Sequence, residues 1–177
     1  VVLDIGSNDG TLLRCYPPGV VKVGGEPAIN LAEEGRQGLD VFVNDFWSES
    51  AYFDGVYRNL NTLYRLDETR ESVKAVIVTA IGMMYDLDDP NQFIADVVKV
   101  LHPDGVFVAQ LMCLKQMLEI RDVGNLCHEH LEFYSLRSLG DLFARHGLEI
   151  FDIEENEVNG RSYRLFICHE GSSDSRE

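Results

Sequence analysis

Leu3-Asp4-Ile5-Gly6-Ser7-Asn8-Asp9-Gly10 passes from an apolar strand to a glycine-punctuated turn within a few residues. The run Val1 to Ile5 suits a central strand buried on both faces. Gly6 and Gly10 permit positive backbone dihedrals and close approach of the main chain. A short helix over Thr11 to Cys15 follows, stopped by Pro17 and Pro18. Strand, glycine turn and helix in this order place a ligand at the strand's C-terminal end, over the start of the helix. The dinucleotide fingerprint needs glycine at its first, third and sixth places, and here the third is Asn8 and the sixth Thr11. That argues against a pyrophosphate-bearing nicotinamide cofactor.

Working outward, Val20 to Val23 reads as a second strand ending in Gly24, Gly25 and Glu26. Glu26 stands about 20 residues beyond Gly6, where nucleoside-binding α/β folds place an acid for the ribose hydroxyls. It also complements the dipole of a helix over Ala28 to Arg36, for which Pro27 suits the first turn and Gly38 a left-handed cap. A third strand, Val41 to Val43, delivers Asn44, Asp45 and Phe46 to the same rim. Val56, Leu60, Leu63 and Tyr64 recur at helical spacing and predict a helix near Val56 to Arg70. Ala75 to Ala80 is a fourth strand.

Asp89 and Pro90 open a helix with Phe93, Val97, Val98 and Leu101 on one face, and a turn over His102 to Gly105 leads to a fifth strand, Val106 to Leu111. Ser135 caps a helix carrying Leu136, Leu139, Leu142 and Phe143, which stops at Gly147. Leu148 to Ile153 and Ser162 to Cys168 are strands joined through the hairpin signal Asn159-Gly160. Alternating strands and helices predict an α/β fold with a mostly parallel seven-stranded sheet, helices on both faces and a C-terminal antiparallel hairpin. Residues 1–170 form the expected domain and 171–177 a frayed polar tail.

The chain of 177 residues carries a formal net charge of -15. So acidic a surface argues against nucleic-acid partners and anionic membranes, both of which are met with Lys and Arg. Cys15, Cys113, Cys127 and Cys168 form no C-x-x-C pair, so neither a zinc knuckle nor a disulfide framework is expected, and a reducing cytoplasm fits best. The opening inside a strand, without an initiator Met, is expected of a piece of a longer protein.

Asp4, Gly6, Asn8 and Gly10 together resemble motif I of the class I S-adenosylmethionine-dependent methyltransferases. Leu-His-Pro-Asp-Gly, residues 101–105, resembles the turn before that family's fifth strand. The resemblance implies that Asp4, Gly6, Ser7, Asn8 and Gly10 cradle S-adenosylmethionine, that Glu26 and Pro27 meet its ribose, and that Asp45 and Phe46 meet its adenine. It places Ala80 at the cofactor's edge and the segment Ile81 to Tyr85 at the substrate entrance, where a methionine pair equally suits adaptable core packing.

Cys127-His128-Glu129-His130-Leu131-Glu132-Phe133-Tyr134-Ser135-Leu136 narrows the resemblance, with Arg145 to Glu154 and with Gly160, Ser162 and Arg164. These stretches look like the sugar C-methyltransferases that act on nucleotide-linked keto-deoxyhexoses. The resemblance implies a nucleotide-sugar substrate, His130 as the base that removes a proton α to a ketone, and Glu129 and His128 holding the sugar or orienting the imidazole. Histidine titrates near neutral pH and suits that work. No metal is needed, although two imidazoles at alternate positions also suit zinc or plain loop hydrogen bonding. Arg121, Arg161 and Arg164 suit either a diphosphate or surface carboxylates. Cys127 stands where the family has tyrosine, and the family's zinc-binding and C-terminal domains have no counterpart in these residues.

Overall fold

The computed structural model describes residues 1–64, 69–158 and 161–172. Its seven-stranded sheet has the order β3-β2-β1-β4-β5-β7-β6, formed by β1 (Val2–Ile5), β2 (Lys22–Gly25), β3 (Val41–Val43), β4 (Ala75–Ile81), β5 (Leu101–Met112), β6 (Leu148–Asn156) and β7 (Ser162–His169). The helices are α1 (Thr11–Arg14), α2 (Ala32–Gly35), α3 (Glu49–Tyr64), α4 (Pro90–Val100), α5 (Leu114–Ile120) and α6 (Leu136–Ala144). The seven-stranded α/β fold expected from the sequence is the one observed. Two compact units divide the chain: Val1–Thr79 with Lys99–Gly105, and the described residues of Ala80–Val98 with Val106–Glu177.

In the first unit β1 pairs in parallel with β2, and β2 with β3. All four residues of β1 are buried, as an apolar run between two neighbours requires. β2 begins later than the apolar pattern suggested and includes Gly24 and Gly25. The cause is close packing: a Cβ on Gly24 would stand 2.8 Å from both Leu39 Cδ2 and Ser7 Oγ. The helix expected over Ala28 to Arg36 is a 3₁₀ turn, Ile29–Leu31, followed by the single-turn α2. Pro27 precedes it rather than opening it, and Gly38 does take the left-handed conformation, with φ +76°.

α3 starts well before the expected Val56, because Ser48 caps it: the Ser48 Oγ accepts from Ala51 N at 3.1 Å. Tyr52, Phe53, Val56 and Leu60 bury one face of this helix, and the Tyr52 hydroxyl donates to the Val73 carbonyl. The side chains of Leu63 and Tyr64, and the stretch 65–68, lie outside the described residues. Arg70–Val73 is a 3₁₀ turn rather than a continuation of α3.

The second unit holds the antiparallel ladders of β7 with β5 and with β6, the latter irregular between Ile150 and Asp152. The predicted turn at Asn159-Gly160 lies outside the described residues, as does 173–177 of the tail. Asp89 caps α4 by accepting from Gln92 N at 3.0 Å. Phe93, Ile94, Val97 and Val100 are its buried face, and Val98 is only half-buried. Extended backbone then starts at Leu101 itself, so the His102 to Gly105 turn is absorbed into the strand assignment. α5 had no counterpart in the sequence reading.

α6 begins where expected. Ser135 Oγ accepts from Ser138 N at 3.1 Å while Ser138 Oγ accepts from Ser135 N at 3.0 Å, a reciprocal capping box. Leu139, Leu142 and Phe143 are buried, whereas Leu136 at the first turn is 37% exposed. Among the described residues no helix is long and apolar enough to cross a membrane. Replacing Ser135 by Ala removes the cap and is expected to lower stability by about 1 kcal/mol, read as a lower urea midpoint at unchanged m-value.

Candidate active site

The turn after β1 is held by backbone. Gly6 N and Ser7 N both donate to the Gly25 carbonyl, at 2.8 and 3.0 Å, so the end of β1 is clamped to the end of β2. Gly6, Asn8 and Gly10 have φ of 72°, 52° and 80°. Two of the three are glycines, and Asn tolerates this region through its short polar side chain. Asn8 Oδ1 accepts from Asp9 N at 2.8 Å, and Asp9 accepts from Thr11 N at 2.9 Å to start α1.

Glu26 is almost fully buried and its carboxylate spans two loops. Oε2 accepts from Asn8 N at 3.0 Å and Oε1 from Ala28 N at 2.9 Å. Its own N–H donates to the Val43 carbonyl at 3.0 Å, and its carbonyl accepts from Asn44 Nδ2 at 2.7 Å. One residue, through its side chain and its main chain, therefore ties together the ends of β1, β2 and β3. Each carboxylate oxygen still has acceptor capacity for a ligand hydroxyl. Pro27 is exposed beside it.

Asp4 lies beneath this rim and is buried. Its Oδ1 accepts from the Thr79 hydroxyl, which also donates to the Leu3 carbonyl at 3.3 Å. Burial pushes the carboxyl up from its ordinary 3.8 to about 6, with the Thr79 hydrogen bond opposing and the charge of Glu26 adding to the rise. Ser7 is buried too, and its hydroxyl has no hydrogen-bond partner among the described residues. After β3, Asp45 and Phe46 are exposed, Phe46 by 78%, and Asp45 Oδ1 accepts from Phe46 N at 2.8 Å. The first unit thus brings Asp4, Gly6, Ser7, Asn8, Gly10 and Glu26 into one cradle, with Asp45 and Phe46 on the loop that follows β3.

In the second unit Ala80 is fully buried in β4. The strand ends at Ile81, and Gly82 after it has a φ of +70° and an N–H that donates to the Gln110 carbonyl at 2.8 Å. A 3₁₀ turn, Met84–Asp86, follows and meets the His-Glu-His run. The Tyr85 carbonyl accepts from both Leu131 N and Glu132 N, at 2.9 and 3.0 Å, and the Tyr85 ring lies 4.4 Å from the His130 imidazole, centroid to centroid.

His130 Nδ1 stands 2.9 Å from the Asn125 carbonyl. A carbonyl only accepts, so this nitrogen carries the proton in the neutral ring and Nε2 keeps its lone pair. Glu129 and His128, expected to hold the sugar or orient the imidazole, are largely exposed and stand 4.0 Å apart, Nε2 to Oε1. The groups that meet the imidazole are the Asn125 carbonyl and the Tyr85 ring, and a backbone acceptor such as the first is invisible in residue type. Tyr85 was legible only as a residue beyond β4.

Two of the three arginines pair with carboxylates: Arg161 with Glu157 at 3.7 Å and Arg164 with Glu154 at 3.1 Å, while Arg164 Nε and Nη2 also donate to Gln110 Oε1. Arg121 is exposed at the end of α5 in a left-handed conformation. Among the described residues no group of three or more His, Cys, Asp or Glu side chains is placed to hold a metal ion.

A family model described as a methyltransferase domain matches residues 1–153. The chain belongs to the methyltransferase-domain family. Among curated proteins it is 29% identical over 170 residues to the C-methyltransferase NovU of Streptomyces niveus. That match covers 95% of this chain and 37% of NovU, so the chain spans little more than a third of its relative's length.

Solved structures with the same fold include a chain of the complex between the Haloferax volcanii Trm112 methyltransferase activator and the putative methyltransferase. Its TM-score is 0.67 at 13% identity, covering 96% of this chain and 82% of that one. Magnesium protoporphyrin IX methyltransferase of Synechocystis PCC 6803 with bound SAH gives 0.61 at 10% identity, over 97% and 74%. Mitomycin 7-O-methyltransferase MmcR gives 0.62 at 15%, over 95% and 48%. At such identities the likeness concerns the fold.

The buried acid in this methyltransferase domain makes stability depend on pH. With the folded carboxyl of Asp4 at about 6 and its ordinary value at 3.8, the unfolded chain ionises first as pH rises, so stability falls between those values and then levels off. Asp4→Asn keeps an acceptor for Thr79 and removes the slope. The variant is expected to gain on the parent across that window, reaching up to about 3 kcal/mol above pH 6.5, measured by urea denaturation at a series of pH values.

Proposed function

We propose that residues 1–170 are the S-adenosylmethionine-binding domain of a methyltransferase that adds a methyl group to carbon of a nucleotide-linked keto-deoxysugar, with His130 as the base. The observation that carries this reading is the His130 imidazole, whose Nδ1 is committed to the Asn125 carbonyl and whose Nε2 is left as the basic nitrogen. The match to a C-methyltransferase over nearly the whole chain supports it.

The residues of the first unit fit the cofactor. Positive φ at Gly6, Asn8 and Gly10 keeps side chains out of the cradle, and Glu26 offers two oxygens to ribose hydroxyls from a carboxylate already fixed by two N–H donors. The unpartnered Ser7 hydroxyl is a further polar group in the same turn. Asp45 and the exposed Phe46 ring are the adenine-side groups in this reading. When bound, the cofactor supplies an electrophilic methyl on a sulfonium.

The work left to the chain is proton transfer. Nε2 of His130 takes the proton α to the substrate ketone, and the C–H electron pair becomes the enolate that attacks. The imidazolium then returns its proton to solvent. Holding the imidazole in one tautomer before the substrate arrives is the positioning step that a carbon acid demands, because the proton is abstracted only along a narrow approach. The four cysteines are all free, which supports a reducing compartment such as the cytoplasm.

Three measurements test this. Calorimetric titration with S-adenosylhomocysteine is expected to show binding that Glu26→Ala weakens by about tenfold or more, the cost of stripping partners from Asn8 N and Ala28 N and of losing the ribose acceptor. In the full-length protein His130→Gln is expected to bind S-adenosylhomocysteine normally while turnover falls by about 10²–10⁴. Product formed with an isotopically labelled methyl donor is expected to carry a base-stable carbon-bound methyl. A methyl ether or methylamine in its place overturns the C-methylation reading.

A further inference from the structure

We propose that Tyr85 is the positioning element for His130, holding the imidazole in one orientation against the end of β4. The inference rests on the reading of His130 as the base, and it concerns how the ring is held.

Three contacts carry it. First, the Tyr85 side chain is trapped: the residue is buried, and a Cβ built on Gly82 would lie 3.4 Å from its hydroxyl, so the phenol lies along the Gly82 backbone. Second, the other contact of the ring is the imidazole, with centroids 4.4 Å apart and planes inclined at 54°. Third, the Tyr85 carbonyl anchors the two residues immediately after His130 through Leu131 N and Glu132 N. One residue therefore meets the histidine's ring and anchors the backbone of the two residues after it.

The carbonyl of Asn125 fixes the proton on Nδ1, but a single hydrogen bond leaves the ring free to swing about it. The phenol plane removes that freedom. On the backbone side, His130 N donates to the Cys127 carbonyl at 3.3 Å, closing the loop beneath the ring.

The charged and titratable groups around the imidazole come from these same two segments. Asp86 follows Tyr85 on the 3₁₀ turn, Cys127 and Glu129 lie on the histidine's own loop, and His128 is turned to solvent. Burial pushes the Asp86 carboxyl above its ordinary range, the His130 imidazole draws it down, and Glu129 pushes it up.

The test uses ¹⁵N-histidine spectra of the protein, with His130→Gln to assign the resonance. The wild type is expected to show His130 in a single Nδ1–H tautomer. Tyr85→Leu deletes the ring, lets the imidazole swing out of line with the Asn125 carbonyl, and is therefore expected to give a mixed tautomer and a kcat lowered by about tenfold with little change in KM. Tyr85→Phe keeps the ring and is expected to restore both.

An unchanged tautomer in Tyr85→Leu overturns the proposal, as does loss of activity in Tyr85→Phe, which would make the hydroxyl rather than the ring the active part. The tautomer is read without turnover, so a His130→Gln protein that turns over normally overturns the base reading and leaves the positioning result intact.

Discussion

The clamp between the ends of β1 and β2 is the constraint on which the first unit depends. Parallel strands stop with unpaired carbonyls and N–H groups at their C-terminal ends, and these need partners once buried. Here the Gly25 carbonyl takes two N–H donors from the turn after β1, and the Glu26 carboxylate takes two more from different loops. A neutral side chain at position 26 would satisfy one donor at best in good geometry. The carboxylate satisfies both with charge-assisted bonds and keeps lone pairs available at the rim. The polar groups that hold the turn are thus the same ones that the proposed cofactor site uses, so on that reading fold and binding draw on one set of atoms.

That sharing explains the glycines. The turn must lie flat against β2 for Gly6 N and Ser7 N to reach a single carbonyl, and Gly24 has no room for a side chain between Leu39 and Ser7. Gly24 and Gly25 look like the end of a strand when only residue type is read, yet both belong to β2. The error came from treating glycine as punctuation where it serves close approach.

Elsewhere the sequence was legible wherever one element carried its own signal. β1 and β3 are short apolar runs in parallel pairing, and α4 and α6 have side-chain caps and a buried face, so all four were found close to their observed bounds. The misses have particular causes. α3 was read from its apolar face and so lost its first turns, where Ser48 rather than a hydrophobic residue sets the start. α5 leaves Leu118 at 70% exposure, so it lacks the one-sided pattern that reveals a helix. The helix after Glu26 was broken into two short turns, with Ala28 and Leu31 at the N-cap positions and no side-chain cap at either. Of the site, residue types in the glycine turn and the His-Glu-His run were visible, whereas the groups that hold Glu26 and His130 are largely main-chain atoms, which residue identity does not announce.

The two acids and one histidine at the centre of this reading show why environment, more than residue type, assigns the work. Asp4 is buried with one hydroxyl partner and is pushed toward its neutral form, which suits a structural role beneath the rim. Glu26 is buried too but meets two N–H donors, which fix its carboxylate between the turn after β1 and the loop after β2. For His130 the partner at Nδ1 is a carbonyl dipole. An ionised carboxylate in that place would fix the tautomer too, but in a chain of net charge -15 it would add another anion at the ring and favour the cation even at rest. A carbonyl sets the tautomer without a full charge, and a ring contact from Tyr85 sets the plane.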